Sequence, residues 1–219
     1  MTNTPQPLRI DIVSDVMCPW CIIGYQQLKT ALDSSGVEHD IHWHPFELNP
    51  DMPPEGQDMG EHLAQKYGTT PEQSAANRAN MIAMGQELGF TFAFPDGFRM
   101  HNTFNAHQLL HWADEQGRRN DLKLALFAAH FTDGRDLSDD AVLVQIAAET
   151  GLDAAQATTV LAQQTYAAAV RQEQQFWAKQ GISSVPSVIF DRQHLVTGAQ
   201  GVETYKSILV QLQQLAQSA

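Results

Sequence analysis

The chain has 219 residues, 43% of them hydrophobic, and a net charge of −12, so it can bury a sizeable core but carries the wrong sign for nucleic acid or an anionic membrane surface. No apolar run is long enough to span a bilayer, and Met1-Thr2-Asn3-Thr4-Pro5-Gln6-Pro7 lacks the basic patch and apolar core of a signal peptide. These features predict a cytoplasmic protein of one elaborated domain, in a compartment where structural disulfides are rare and reactive pairs cycle.

Leu8, Ile10 and Ile12 alternate and Val13 extends the apolar run, which predicts a partly buried strand. Both cysteines of the chain follow at once, in Asp15-Val16-Met17-Cys18-Pro19-Trp20-Cys21. Pro19 suits the first position of a helix, where its missing N–H costs nothing. Cys18 then becomes the N-cap, with free backbone N–H groups and the positive end of the helix dipole at its sulfur. That setting is expected to lower its pKa from about 8.5 towards ~3.5–7. Cys21, one turn further in, is the natural resolving thiol. A lone C-x-x-C can also be half of a zinc site, but four-ligand sites usually need a second pair and there is none. An idle buried pair is the bland alternative. The helix continues through Tyr25, Leu28 and Leu32 and can stop at Gly36.

A second strand is predicted over His39 to His44, with Ile41 and Trp43 on one face and His42 and His44 on the other. Those two histidines lack a convincing third and fourth partner, so no metal is expected. Pro45, Pro50, Pro53 and Pro54 mark an irregular connection. From about residue 58 to 180 the pattern is helical. Thr70-Pro71-Glu72-Gln73 carries a capping box and Gly89 a stop. Further helices are predicted over His101 to Ala113, Leu122 to Phe131, Ser138 to Gly151, a short one capped by Asp153, and Thr165 to Gln180. Pro186 precedes an apolar run and belongs at a strand's start or edge. Strands over Val188 to Asp191 and His194 to Thr197 lead to a last helix, with Tyr205, Ile208, Leu209, Leu212 and Leu215 on one face.

Together, the C-x-x-C motif and the downstream Val185-Pro186 resemble the thioredoxin superfamily. The resemblance implies a cis bond before Pro186 and a Val185 backbone offered to an extended substrate as an added strand. Phe46-Glu47-Leu48-Asn49-Pro50, Pro54-Glu55-Gly56, Asn102-Thr103 with Ala106-His107, Ala129-His130-Phe131-Thr132-Asp133-Gly134 and Thr197-Gly198-Ala199-Gln200 narrow it to the DsbA-like branch, FrnE-type. Ser184 and Ser187 depart from the glycine and aromatic that relatives often place around the Val-Pro. The implied fold is α/β: a thioredoxin-like domain, residues 1–50 plus 181–219, interrupted by a large all-helical insertion, residues 51–180. The family pattern also puts Asn102 and His107 in the groove between insertion and active site.

The expected function is thiol–disulfide oxidoreductase or isomerase, with Cys18 as nucleophile, Cys21 resolving, and Pro19 and Trp20 shaping the helix start without a basic side chain. The resemblance extends to 2-hydroxychromene-2-carboxylate isomerases and kappa-class glutathione transferases. It implies a glutathione site along Val185 and Gly198, Ala199 and Gln200, where backbone N–H groups would receive a carboxylate. No cofactor is expected apart from glutathione as a candidate co-substrate, and the partners expected are thiol- or disulfide-containing proteins or small molecules. Two other classes compete: a glutathione-dependent isomerase or transferase acting on an aromatic small molecule, and a chaperone-like binding module that uses the insertion groove.

Overall fold

A computed structural model describes residues 7–95 and 97–218. Residues 1–6 and Ala219, the outermost parts of the expected thioredoxin-like domain, lie outside the described residues, as does Asp96.

The first strand, β1, spans Leu8–Ser14 and the first helix, α1, Pro19–Ser35. Cys18 is the N-cap and Gly36 ends the helix in the left-handed region at φ 65°, a conformation glycine adopts without steric cost. β2, His39–Pro45, runs parallel to β1 with Ile10 beside Ile41 and Ile12 beside Trp43. After the long helical segment, β5 (Ser187–Phe190) returns antiparallel to β1, β6 (His194–Thr197) pairs with β5, and α9 (Val202–Ser218) packs against α1. The sheet order is β2-β1-β5-β6. Alternation along β1 separates its two faces. Ile10 and Ile12 share an apolar cluster with Cys21, Leu28, Trp43 and Tyr205, whereas Val13 packs on the opposite side with Ile182 and Ile189.

Between β2 and β5 lie α2 (Met59–Tyr67), α3 (Pro71–Glu87), α4 (Phe104–Glu115), α5 (Arg119–Phe131), α6 (Asp140–Glu149), α7 (Ala154–Ala162) and α8 (Ala167–Lys179). The Thr70–Gln73 capping box is formed in both directions, and Asp139 and Asp153 cap their helices through side-chain oxygens. The segment is not all-helical, however. β3, Gln57–Asp58, and β4, Arg99–Met100, form a second, antiparallel sheet. Strands of two residues leave no periodicity in sequence. Gly56 makes the pairing sterically possible: its φ is +68°, and a Cβ there would overlap the Met100 carbonyl oxygen. For the same reason α4 starts at Phe104 rather than His101, since Met100 belongs to β4 and the Asn102 side chain accepts the Phe104 N–H at 2.9 Å. At the other end of the chain, Tyr205 and Leu209 are buried but Leu215 is 54% exposed, so the apolar face of α9 stops short of the expectation.

The core is continuous across the sheet and the helical segment, from Ile10 and Trp43 to Leu126, Phe127 and Leu143. An aromatic group of Phe92, Phe94, Phe98 and Phe131 fills the far end. His130 is buried among them, with the rings of Phe98 and Phe131 each 4.6 Å away, and neither of its nitrogens has a hydrogen-bond partner among the described residues. Burial, reinforced by the charge of His101, pushes its pKa down to about 3. A folded pKa below the ordinary 6.5 means that the unfolded chain takes up this proton first, so the stability His130 allows is present above pH 6.5 and is lost as pH falls towards 3. A His130→Phe variant is therefore expected to flatten the fall in thermal stability between those pH values. The gain at the acid end should be a few kcal/mol, at roughly 1.4 kcal/mol per unit of pKa difference. Melting curves at a series of pH values check this; an unchanged slope would contradict it.

Candidate active site

β1 delivers the chain to the site, and the turn from Asp15 to Cys18 is closed by the Cys18 N–H donating to the Asp15 carbonyl at 3.2 Å. Pro19 at the first helical position and the Cys21 N–H donating to the Cys18 carbonyl at 3.1 Å place both thiols at the start of α1. Both cysteines are free and buried, Cys18 3% exposed and Cys21 fully enclosed. Trp20, beside them, is 43% exposed.

The Val185–Pro186 bond is cis, and the Cys18 thiol lies 3.8 Å from the Val185 carbonyl oxygen. Pro186 in turn accepts the Gly198 N–H at 2.8 Å. A Cβ on Gly24 would stand 3.3 Å from Pro186 and 3.5 Å from the Ala199 backbone, so the absence of a side chain lets the proline loop and the 198–200 turn close on α1. Cys18, Cys21, Val185, Pro186, Gly198 and Ala199 thus form one locality. Gln200, in the same turn, is exposed and donates to the Thr197 carbonyl at 2.6 Å. Asn102 and His107 stand apart. Asn102 helps start α4 and reaches the Pro50 carbonyl at 3.4 Å. His107 is 2% exposed and turned inward, with Nε2 2.8 Å from the Phe46 carbonyl and 3.5 Å from Asp15. It lies behind the site, against Asp15.

Two groups that sequence reasoning passed over lie beneath the sulfurs. Asp15 is 1% exposed and accepts the Leu48 N–H at 2.7 Å and the Met17 N–H at 3.3 Å. Lys123, from α5, is equally buried, its ammonium 3.4 Å from the Ser14 carbonyl and above the rings of Trp43 and Phe127. Burial pulls Lys123 down to about 8 against the opposing charges of Cys21 and Asp15. Burial alone would push the Asp15 carboxyl up, but His107, the Leu48 amide and Lys123 outweigh it and hold it below the usual range. A lysine within the apolar run Leu122 to Phe131 was the signal available in sequence.

The surroundings of the two thiols differ from those the helix terminus alone would give. The hydrogen bond with Cys21, followed by burial, pushes the Cys18 thiol up. Cys21 is the thiol that comes down: burial opposes its ionisation, but the bond from Cys18, the nearby Ser14 hydroxyl and the charge of Lys123 prevail. The two titrate as a unit, and the Lys123 charge favours a negative charge on the inner sulfur. The helix terminus, the basis of the sequence expectation, competes here with a buried cation that the sequence alone does not place.

Residues 9–210 match the DSBA-like thioredoxin domain family. The chain belongs to this family. Among solved structures, a probable DsbA oxidoreductase from Streptomyces coelicolor is 34% identical, with a TM-score of 0.87 over 93% of this chain and 89% of the other. A 2-hydroxychromene-2-carboxylate isomerase, 12% identical, superposes with a TM-score of 0.71 over 96% of this chain and 99% of its own. The cytosolic disulfide reductase DsbM from Pseudomonas aeruginosa, solved with glutathione, is 18% identical with a TM-score of 0.65 over 94% of this chain and 99% of its own. The last two share the fold. In this DSBA-like protein, among the described residues, no helix is long and apolar enough to cross a membrane.

Proposed function

We propose that this DSBA-like chain is a thiol–disulfide oxidoreductase whose working couple is Cys18–Cys21. The observation that carries the reading is the placement of both cysteines at the start of α1, against a cis-proline loop whose Val185 carbonyl faces Cys18. Cys18 is the outer sulfur and takes the substrate. In the oxidised form a substrate thiolate attacks Cys18 Sγ, the Cys18–Cys21 bond breaks, and Cys21 leaves with the electron pair. A leaving thiol of lowered pKa leaves faster, and Lys123 stabilises the charge that forms. A second substrate thiolate then attacks the substrate sulfur of the mixed disulfide, the substrate disulfide forms, and Cys18 leaves with the electron pair. Run backwards, with Cys21 attacking a mixed disulfide at Cys18, the same steps reduce the substrate. The partners are thiol- or disulfide-containing proteins or small molecules, and the compartment is the cytoplasm, as it is for the cytosolic neighbour DsbM.

Turnover of a disulfide-containing protein substrate by the wild-type chain, read as thiols gained or lost, tests this reading. Retention of that turnover after both cysteines are replaced would sink it.

The glutathione-bound neighbour favours a second reading of the same locality, with glutathione as co-substrate along Val185 and its carboxylate at the 198–200 turn. Millimolar glutathione is then expected to shift the amide signals of Ala199 and Gln200. Signals that stay in place would remove this reading. An isomerase or transferase acting on an aromatic small molecule predicts glutathione-dependent turnover that survives Cys21→Ser. A chaperone-like module predicts suppression of aggregation without either cysteine.

A further inference from the structure

The cysteines lie on one face of the sheet, and the opposite face is only partly covered. Ile10 and Ile12 of β1 pack with Cys21, so Arg9, Asp11 and Val13 point the other way. On that far side α8 packs over β2, while Ile189 of β5 and Leu195 of β6 line an open cleft of about 540 Å³, a usual size for a small-molecule site. Phe176 and Leu195, two of the few large apolar side chains left exposed, both line it, beside Trp177. Most of its charged groups are committed to one another. Asp11 accepts Arg9 Nη2 at 2.7 Å and pairs with His44 Nε2 at 2.8 Å, and His44 Nδ1 lies 2.5 Å from Glu173. Arg192 differs. It lines the cleft, and its side chain has no hydrogen bond or ion pair among the described residues. It is also held in the left-handed region: Asp191 and Arg192, in the turn between β5 and β6, have φ 48° and 58°, a conformation that favours glycine. The turn is pinned to β1, since the Asp191 N–H donates to the Arg9 carbonyl at 2.9 Å and the Asp191 carboxylate accepts the Arg9 N–H at 3.1 Å. An arginine kept at such a position, with no partner in the fold, points to a use for its side chain.

We propose that this cleft is a second binding site, separate from the dithiol, for a small carboxylate with an apolar body. The carboxylate pairs with the Arg192 guanidinium, whose planar fork matches it with two parallel N–H···O bonds. The apolar body lies against Phe176, Trp177, Ile189 and Leu195 and takes their exposed surface out of water. The two carboxylates already in the cleft do not oppose this. Burial lowers the His44 pKa, but Asp11 and Glu173 outweigh it and raise the pKa, so the His44 charge, with that of Arg9, offsets theirs. A neutral apolar ligand would leave Arg192 unpaired, and a small inorganic anion would leave the apolar walls in water. Only an acid with an apolar body uses both. A second copy of the chain would bring another net charge of −12, and the repulsion between copies favours the small ligand.

The test uses the reduced full-length protein with 4-phenylbutyrate and its neutral counterpart 4-phenylbutanol. Binding is read from the amide signals of Gln193 and Leu195 and the indole signal of Trp177. Millimolar 4-phenylbutyrate is expected to shift all three saturably, with 4-phenylbutanol binding roughly tenfold more weakly. Arg192→Gln should weaken the acid roughly tenfold and leave the alcohol unchanged. Arg192→Gly, which suits the left-handed turn, should lose the acid to the same degree while its melting temperature holds or rises. The absence of saturable shifts, or equal affinity of the wild type for acid and alcohol, would overturn the proposal. A loss in Arg192→Gly that comes with a lower melting temperature would also overturn it, since that marks the arginine as structural. So would signals that move with protein concentration alone, together with a doubled mass by light scattering, because the cleft would then belong to a second copy.

Discussion

Replacing Cys18 with serine is expected to reduce exchange to the uncatalysed background, whereas replacing Cys21 leaves a protein that still reacts but accumulates mixed disulfides. The asymmetry follows from position. Cys18 sits at the N-cap beside the Val185 carbonyl, where a substrate strand arrives, and Cys21 lies behind it, fully enclosed. Without Cys21 an adduct at Cys18 has no internal thiol to release it. Non-reducing mass analysis after incubation with a disulfide substrate distinguishes the two variants: a stable adduct is expected on Cys21→Ser and none on Cys18→Ser. Equal activity of both, or adducts on Cys18→Ser, would refute these roles.

The second large effect is expected at the buried charges. Asp15→Leu removes the acceptor of the Leu48 and Met17 amides and strips Lys123 of its nearby carboxylate. Asp15 makes its ion-pair contact with His107 at 3.5 Å and attracts Lys123 through space; stranding a buried charge costs up to roughly 3–5 kcal/mol, whereas replacing both attracting groups by apolar ones is often close to neutral. The Asp15→Leu/Lys123→Met double variant should therefore recover much of the loss, short of what the two orphaned amides cost. Its chemistry should not recover. Without the Lys123 charge the Cys21 pKa rises, and the thiolate absorbance that titrates with the pair should move to higher pH. Denaturant unfolding combined with a thiolate titration separates the two consequences. A double variant as unstable as Asp15→Leu, or one with an unshifted titration, would contradict the account.

Much of the fold could be read from the chain because its signals are local. The alternation in Leu8, Ile10 and Ile12, proline after Cys18, the Thr70 capping box and Asp153 before its helix each act over a few residues, and each is found in place. The pairing of Cys18 with Val185–Pro186, which are 167 residues apart at their contact, came from the family pattern and is present. What escaped has a tertiary origin. β3 and β4 are too short to carry a period and meet only across the α2–α3 segment. His107 was assigned to the groove from the pattern of Asn102 to His107, but α4 turns that side chain towards Asp15. Lys123 comes from a helix about a hundred residues after the cysteines, and its charge favours the Cys21 thiolate, an effect the helix terminus alone does not predict.

The central claim, that Cys18 and Cys21 form a working redox couple, is tested most directly by equilibrating the protein across a glutathione buffer series and reading the pair by alkylation and mass. The account predicts a single two-electron transition between dithiol and intramolecular disulfide, with a midpoint between roughly −270 and −120 mV. A pair that stays reduced in the most oxidising buffer, or closes beyond the reach of the most reducing one, would contradict it.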